Sequence, residues 1–416
     1  MLFVYRITIN IILLISPIII FVRLLQKKEN PKRFKEKFCF FSKKRNKGKL
    51  IWFHGASVGE LQSIVPLVEK LENNKDIKQI LITSNTLSSS KILQNLKLKK
   101  TIHQFFPIDT NYHTQKFLNY WKPSIAIFVD SEIWPNMLTN IKEKPISLIL
   151  LNGRITKKSF KKWKIFSSSA KMIFRKFDVC FSSSNKSKNY LRSLGVNKVK
   201  YIGNLKFSQA EKSVNDLNKN LKKIFLSRKI WCASSTHDSE EKICLEVHKK
   251  LKIRYKKLLT IIIPRHIHRT KEIINEANKL NLEIHTHSLT KAINKKTDIY
   301  LVDSFGQTKS FFKVCKTVFL GGSLIKHGGQ NPLEAARYGC KIIHGPNVWN
   351  FDEIYSLLKK YNVSNKIRNP NQLSYGIDNM FKNKINSKNL ETKVKNLGNK
   401  ILNETLKEIN FFINKK

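Results

Sequence analysis

Ten short runs rich in Ile, Val, Leu and Phe recur between Leu50 and Pro346, each separated from the next by a longer stretch with helical spacing. Such alternation leaves few folds open, because successive βα units bury an apolar strand on both faces and return the chain through a helix. In the first half the expected strands are LIWFHG, QILITS, IAIFVD, ISLILLN and VCFSSS. In the second they are IWCASS, LLTIIIP, IYLVDS, TVFLGGS and KIIHGP. Between the two sets runs SQAEKSVNDLNKNLKKIFLSRK, polar and lysine-rich with little strand character, which reads as an interdomain connection. The 416 residues exceed one ordinary core, and at about 100 to 200 residues per domain two domains are expected. The fold class is therefore α/β, with two Rossmann-like domains facing a cleft lined by the carboxyl ends of their strands, where chemistry belongs. The expected division is an anchor over 1–27, a first domain over 28–208 and a second over 209–416. From Asn369 onward the chain is helical in pattern and lysine-rich, carries no chemical motif and reads as packing.

Lys and Arg number 78 against 29 Asp and Glu, a formal charge of +49. That balance points to anionic partners such as phosphates, nucleic acid or an acidic membrane face. It fits equally a bias spread over the whole surface, since lysine is abundant wherever the chain looks solvated. The six cysteines show no CxxC and no histidine at ligand spacing, which argues against zinc and against a disulfide framework and fits a reducing cytosol. An apolar run from Ile7 to Leu25, interrupted by Asn10, Pro17 and Arg23, has the roughly 17 to 25 residues that a membrane span requires. Arg23, Lys27, Lys28, Lys32, Arg33 and Lys35 follow the run, the reverse of a secretory signal. By the positive-inside rule the body then stays in the cytoplasm. A true span and a helix lying in the interface both satisfy these features, and both hold the body at the inner face of a membrane.

Four stretches carry candidate chemistry. HGASVGE, His54 to Glu60, turns tightly from a strand into ELQSIVPLVEKLE, whose Leu61, Ile64, Val65 and Val68 form an apolar stripe. The helix macrodipole favours an acid at Glu60 and is expected to keep it ionised, so cap and base can be one residue. IAIFVDSEIWPN places Asp130 and Glu132 two apart, on one face if the strand continues. An acid pair can hold a divalent metal, but the chain has no D-x-D and no evident third ligand. Alternatively Glu132 begins the next helix, and the expectation is a metal-free site. IIIPRHIHR sets Arg265 just past a strand end, where a guanidinium fork suits a phosphate. A basic surface turn is the other reading, and His266 and His268 lack support as metal ligands.

In GGSLIKHGGQNPLEAARYG, two glycine pairs allow positive φ and close approach to a ligand. NPLE then opens a helix with Asn331 at N-cap, Pro332 at N1 and Glu334 at N3. Such a start can receive a phosphate and present Glu334 to ribose hydroxyls, or Glu334 can merely close a capping box. Lys206 in IGNLKFS lies near the proposed domain junction, where spacing alone makes it a solvated side chain.

Taken in order, HGASVGE, VDSEIWPN, NGRIT followed by KSF, GNLKF, ASSTHDSEE, IIPRHIHR and GGSLIKHGGQNPLE resemble the 3-deoxy-D-manno-octulosonic acid (Kdo) transferases of lipopolysaccharide synthesis. The resemblance covers most of the chain. It implies a GT-B glycosyltransferase that moves Kdo from CMP-Kdo to a lipid A precursor (lipid IVA), inverting and metal-independent, with no cofactor. The place implied is the cytoplasmic side of the cell inner membrane. Carried over by residue, Glu60 is the general base, and Asp130 and Lys206 stabilise the transition state. CMP contacts fall on Pro264, Arg265, Phe305, Gly306, Gln307, Asn331, Pro332, Leu333 and Glu334. Two positions depart from the family pattern: Asp130 stands where glutamate is usual, leaving Glu132 as a second candidate for that role, and Gln307 stands where an acid is preferred. The chemistry agrees, since charge building on the leaving phosphate needs donors and the attacking hydroxyl needs a base. Two other readings compete: a membrane-associated GT-B enzyme using a different sugar nucleotide, and a non-enzymatic basic binder of membrane or nucleic acid. The second has no use for glycine turns at strand ends. No specific nucleic-acid partner is expected.

Overall fold

The computed structural model describes every residue except Met1, Asn95, Lys97, 210–215, 290–292, Lys384, Lys415 and Lys416. The chain divides into one unit formed by Met1–Ala210 with Gly398–Lys416 and a second formed by Glu211–Leu397. Of the polar connection, residues 210–215 lie outside the described residues, and a helix covers Lys219–Leu226.

In the first unit β1 (Lys49–His54), β2 (Ile77–Ser84), β3 (Thr101–Phe105), β4 (Ile125–Val129), β5 (Ser147–Gly153), β6 (Val179–Ser182) and β7 (Val199–Tyr201) form a seven-stranded sheet in the order β3-β2-β1-β4-β5-β6-β7. Every pairing in it is parallel. The second unit repeats the plan with β8 (Lys229–Thr236), β9 (Leu258–Pro264), β10 (Ile284–Thr286), β11 (Ile299–Leu301), β12 (Thr317–Leu320), β13 (Lys341–His344) and β14 (Ser364–Lys366), ordered β10-β11-β9-β8-β12-β13-β14. All ten expected strands are present. The order reverses between β1 and β4 in one sheet and between β8 and β12 in the other, and such switch points open a crevice at the carboxyl ends of the strands. The stretches singled out by sequence follow these strands directly.

Central strands are closed on both faces, as covered parallel sheets require: all five residues of β4 and all seven of β9 are buried. Trp52 anchors the first core, its ring centroid 4.9 Å from Phe117 and 5.3 Å from Phe128. Trp231, Leu245, Ile262 and Phe319 belong to the second core.

Seven helices matter below. In the first unit they are α1 (Leu2–Leu25), α2 (Val58–Glu72), α3 (Asn111–Trp121) and α4 (Pro135–Lys142). In the second they are α5 (Glu240–Lys252) and α6 (Leu333–Arg337), followed by α7 (Ser387–Asn414). The stripe on α2 contains Leu61, Ile64 and Val68 as expected, but Leu67 and Leu71 complete it while Val65 is half-exposed. The last turns of α7 pack with the first unit, although 209–416 reads from sequence as a single domain. Ile401, Ile409 and Ile413 bury an apolar face there. Gly203 makes room for it: a Cβ on that glycine, at φ +116°, would lie 2.9 Å from Ile401 Cδ1. The six cysteines are free and buried.

Candidate active site

At the switch point of the first unit, β1 ends in His54 and the chain turns through Gly55–Ser57 into α2. Ser57 caps the helix: its Oγ accepts from the Glu60 backbone N–H at 3.4 Å, while Glu60 Oε2 accepts from the N–H of Ala56 at 2.7 Å and of Ser57 at 3.3 Å. This reciprocal capping box accounts for the tight spacing of the loop. Both bonds fall on Oε2, leaving Oε1 with no hydrogen-bond partner among the described residues. The macrodipole does not hold Glu60 ionised as expected from sequence. Burial, then the charges of Glu132 and Asp130, outweigh the bonds from Ser57 and Ala56 and push its pKa up to about 7.

β4 stops at Val129, so Asp130 and Glu132 do not extend a strand. Asp130 takes φ +64°, a left-handed conformation that aspartate tolerates better than most residues. Its N–H donates to Leu151 O and its carbonyl accepts from Arg154 N–H, which pins the turn to β5. The two acids then find separate partners. Asp130 Oδ2 lies 3.3 Å from Lys206 Nζ, and its buried Oδ1 has no hydrogen-bond partner among the described residues. Lys206 sits on a 3-10 turn over Leu205–Ser208, held by Asn204 Oδ1 accepting from the Lys206 N–H and Asn152 Oδ1 accepting from the Leu205 N–H. The solvated lysine of the spacing argument is thus the ion-pair partner of Asp130.

Glu132 Oε2 accepts from His54 Nε2 at 3.2 Å and from Trp134 Nε1 at 2.8 Å. His54 is fully buried against Phe106 at a centroid distance of 3.8 Å, and burial depresses its pKa even with Glu132 opposing. The ring is therefore neutral, and Glu132 sets its tautomer: the carboxylate accepts from Nε2–H, and Nδ1 lies 3.0 Å from Thr83 Oγ1, which accepts from Trp52 Nε1. Burial raises the pKa of Glu132, but the two N–H donors prevail and hold it below the usual carboxylate value. The sequence signal for this relay was the histidine at the strand end within HGASVGE.

In the second unit the corresponding acid is Glu240, in the first turn of α5. It is wholly buried and takes four backbone N–H donors: Gly322 at 2.6 Å and His237 at 3.1 Å on Oε2, and Ser323 and Leu324, both at 3.0 Å, on Oε1. The amides of Gly322, Ser323 and Leu324 are consequently occupied by the protein's own carboxylate, while the second glycine pair, Gly328 and Gly329, takes the positive φ expected of it, +106° and +76°. Gly321 serves packing instead, since a Cβ there would lie 2.5 Å from Ser235 O. The helix at NPLE also differs from expectation. Only five residues long, α6 begins at Leu333 behind Pro332, and no capping box forms. Asn331 Oδ1 still accepts from Leu333 N–H at 3.1 Å, and Glu334 is half-buried. So short a helix gathers little dipole.

Four adjacent strands, β11, β9, β8 and β12, end at the remaining candidates. Exposed Phe305, Gly306 at φ +81° and Gln307 follow β11. Pro264 closes β9, and Arg265 follows it, solvent-exposed and with no ion pair among the described residues. Arg269, by contrast, is engaged by Asp238 at 2.8 Å, Glu272 at 3.1 Å and Glu241 at 3.4 Å. His237 follows β8, with the His327 ring 4.0 Å away. Burial first, then His327, His266, Arg265 and Arg269, push its pKa down to about 4, which marks this end of the sheet as electropositive. Spacing had pointed to neither His237 nor Glu240, although both lie within ASSTHDSEE. Among the described residues no group of three or more His, Cys, Asp or Glu is placed to hold a metal ion.

Residues 32–209 match the family of 3-deoxy-D-manno-octulosonic-acid transferases (kdotransferases). The chain is 35% identical to the 3-deoxy-D-manno-octulosonic acid transferase of Rickettsia bellii over 80% of its own length and 79% of that protein. To the enzyme of the same name from Haemophilus influenzae it is 28% identical, over 85% of this chain and 83% of that one. A glycosyltransferase structure from Rickettsia africae superposes with a TM-score of 0.56 at 11% identity, covering 89% of this chain and all of that one. A UDP-GlcNAc 2-epimerase from Neisseria meningitidis does so with a TM-score of 0.57 at 12% identity, over 86% of this chain. At those identities the two structures speak for the two-domain GT-B-like fold alone. The chain is a glycosyltransferase, and it belongs to the 3-deoxy-D-manno-octulosonic acid transferase family.

Proposed function

We propose that the enzyme transfers Kdo from CMP-Kdo to a lipid A precursor, lipid IVA, with inversion and without a metal or cofactor, at the cytoplasmic face of the inner membrane. The observation that carries the reading is Glu60, a carboxyl with one oxygen tied to its cap, the other open, and a pKa of about 7 set beside Asp130 and Glu132. A group poised near neutrality is a suitable general base. The acceptor hydroxyl attacks the anomeric carbon of Kdo, its proton passes to Glu60 Oε1, and the bond to the CMP oxygen breaks with its electron pair leaving on the phosphate.

Lys206, oriented by Asp130, supplies positive charge where the transition state builds negative charge. In the second unit Arg265 is the guanidinium left open for the phosphate, with Pro264, Phe305, Gly306, Gln307, Asn331, Pro332, Leu333 and Glu334 as the further CMP contacts. The set is supported by its position at the ends of four adjacent strands and by the electropositive surroundings of His237. The apolar α1 and the lysines after it support a membrane location.

Mass analysis of the lipid product tests the reading. Incubation with CMP-Kdo and a tetra-acylated lipid A precursor should add Kdo to the lipid, and Glu60→Gln should abolish the addition. Unchanged lipid with the parent protein sinks the proposal, as does thermal stabilisation by UMP or GDP in preference to CMP.

A further inference from the structure

The relation of α1 to the rest of the first unit is unusual for a membrane span. Tyr5, Ile9, Leu13, Ser16, Ile20 and Arg23, spaced by three and four residues, are buried or half-buried and, with half-buried Leu2, Arg6 and Leu24 beside them, form one continuous face over its 24 residues. Polar bonds tie that face to the body at the start of the helix. Tyr5 Oη donates to Asp109 Oδ2 at 2.7 Å, Arg6 Nε to Asn136 Oδ1 at 3.0 Å and Arg6 Nη2 to Asn111 Oδ1 at 3.3 Å. At the other end Arg23 pairs with Glu29, which also holds Lys37. The opposite ridge, Val4, Ile7, Ile11, Ile18, Val22 and Leu25, is exposed and wholly apolar. Asn10 and Thr8 fall on the flanks between the two faces.

We propose that α1 lies in the plane of a single leaflet of an anionic bilayer, docked lengthwise on the first unit, and does not cross the membrane. At about 1.5 Å per residue its length, roughly 36 Å, would suffice for a span. A span, however, would draw Arg6, Asn111, Asn136 and Asp109 into hydrocarbon or strip Arg6 of its partners, and buried unpaired polar groups are expensive there. An in-plane helix sinks its exposed apolar surface, the flanking Ile12, Ile15, Ile19 and Phe21 included, about 5 to 10 Å and keeps Arg6 and its partners at headgroup level. Pro17 is compatible with this placement, because the carbonyl it frees on Leu13 accepts from Ser16 Oγ at 2.7 Å. Exposed Lys27, Lys28, Lys32 and Lys35 follow at once and complement acidic headgroups. Orientation follows as well. Asp109 and Asn111 lie beyond the carboxyl end of β3, and Asn136 beyond that of β4, so the helix begins at the same end of the sheet as Glu60, Asp130 and Glu132. The enzyme thereby turns its acceptor end toward the lipid that carries the acceptor.

The inference rests on the membrane location proposed above, and its test separates the two. Single cysteines at Val4→Cys, Ile11→Cys and Val22→Cys take a fluorescent label, the native cysteines being buried. The full chain is then added to vesicles of phosphatidylethanolamine and phosphatidylglycerol containing lipids with quenchers at defined acyl depths. Equal, shallow depths for all three labels, in the leaflet facing the added protein, are expected. Ile11→Cys deepest with Val4→Cys reached only from the vesicle lumen would establish a span and overturn the in-plane placement while leaving membrane residence intact. Absence of acyl quenching at all three positions would overturn both, whereas Kdo transfer is scored independently by product mass.

Discussion

Glu60→Gln should stabilise the folded protein while disabling it, and only on one side of neutrality. Glu60 has an ordinary pKa of 4.5 when unfolded and about 7 when folded. Below 4.5 both states hold the proton and the site costs nothing. Between 4.5 and 7 the folded state keeps a proton that the unfolded state has released, so stability falls as pH rises, and above 7 the full cost of an ionised, partly buried Glu60 is present. At about 1.4 kcal/mol per pH unit the difference amounts to about 3 kcal/mol, reduced to about 2 kcal/mol because solvent reaches part of the carboxyl. Glutamine keeps an oxygen for the Ala56 and Ser57 N–H groups and removes the charge. Urea unfolding at pH 8 should therefore show the variant more stable than the parent by about 2 kcal/mol, a midpoint increase on the order of 1 M, with the gap closing at pH 5. Transfer activity should fall by roughly 10²- to 10⁴-fold, the usual worth of a general base. A variant equally or less stable than the parent at pH 8 would refute the reasoning, since it would mean that the buried charge carries no cost and that the pKa is ordinary.

Three further outcomes follow from the same geometry. Glu132→Gln retains an acceptor for His54 and Trp134 but deletes the acid whose charge raises Glu60 most, so the acid limb of the kcat/KM profile, expected near pH 7, should move to lower pH; an unmoved limb would separate Glu132 from the base. Glu240→Ala abandons four buried amide donors, and urea unfolding of the second unit should report a loss of about 3 to 4 kcal/mol, with donor KM raised more than kcat is lowered. Gly345→Ala places a Cβ 2.1 Å from Ser323 O, backbone that cannot swing aside, and should cost about 3 kcal/mol or more in the same measurement; a loss below about 1 kcal/mol would show that the turn after β12 yields.

What could be read from the sequence follows burial closely. The ten strands visible as apolar runs occupy the interior of their sheets, where both faces are covered and apolar residues predominate. β3, β7, β10 and β14, with the sequences TIHQF, VKY, IHT and SNK, escaped notice, and all four are edge strands. An edge strand is short and half-solvated, so neither composition nor alternation distinguishes it from a loop. Glu60, Asp130 and Arg265 were legible as residues just past strands. The pairing of Asp130 with Lys206 was not, because 76 residues separate them and only the parallel sheet unites them. Local rules also misjudged Glu60: the dipole is a feature of its own helix, whereas the burial and the two neighbouring acids that override it come from chain far away. The five-residue α6 was overestimated because its start signals are genuine, whereas its end is set by Gly339, which at φ +67° turns the chain out of the helix two residues before β13.

The two units place a glutamate in the same local setting and use it in opposite ways. Glu60 follows β1 in the first turn of α2, and Glu240 follows β8 in the first turn of α5, each on the first strand of its sheet beside the switch point. Glu240 spends both oxygens on four amides and is sealed from solvent, so it acts as a built-in anion that fixes the turn after β12. The amides of Gly322, Ser323 and Leu324 are thereby taken up within the protein. Glu60 spends only Oε2 on its cap. Its other oxygen is held in a fixed direction by the first, without a partner and close to neutrality in pKa, which is the condition under which a carboxylate can take a proton and later return it. The number of amides that converge on the carboxylate, two against four, thus separates a residue that shapes a site from one that can react in it.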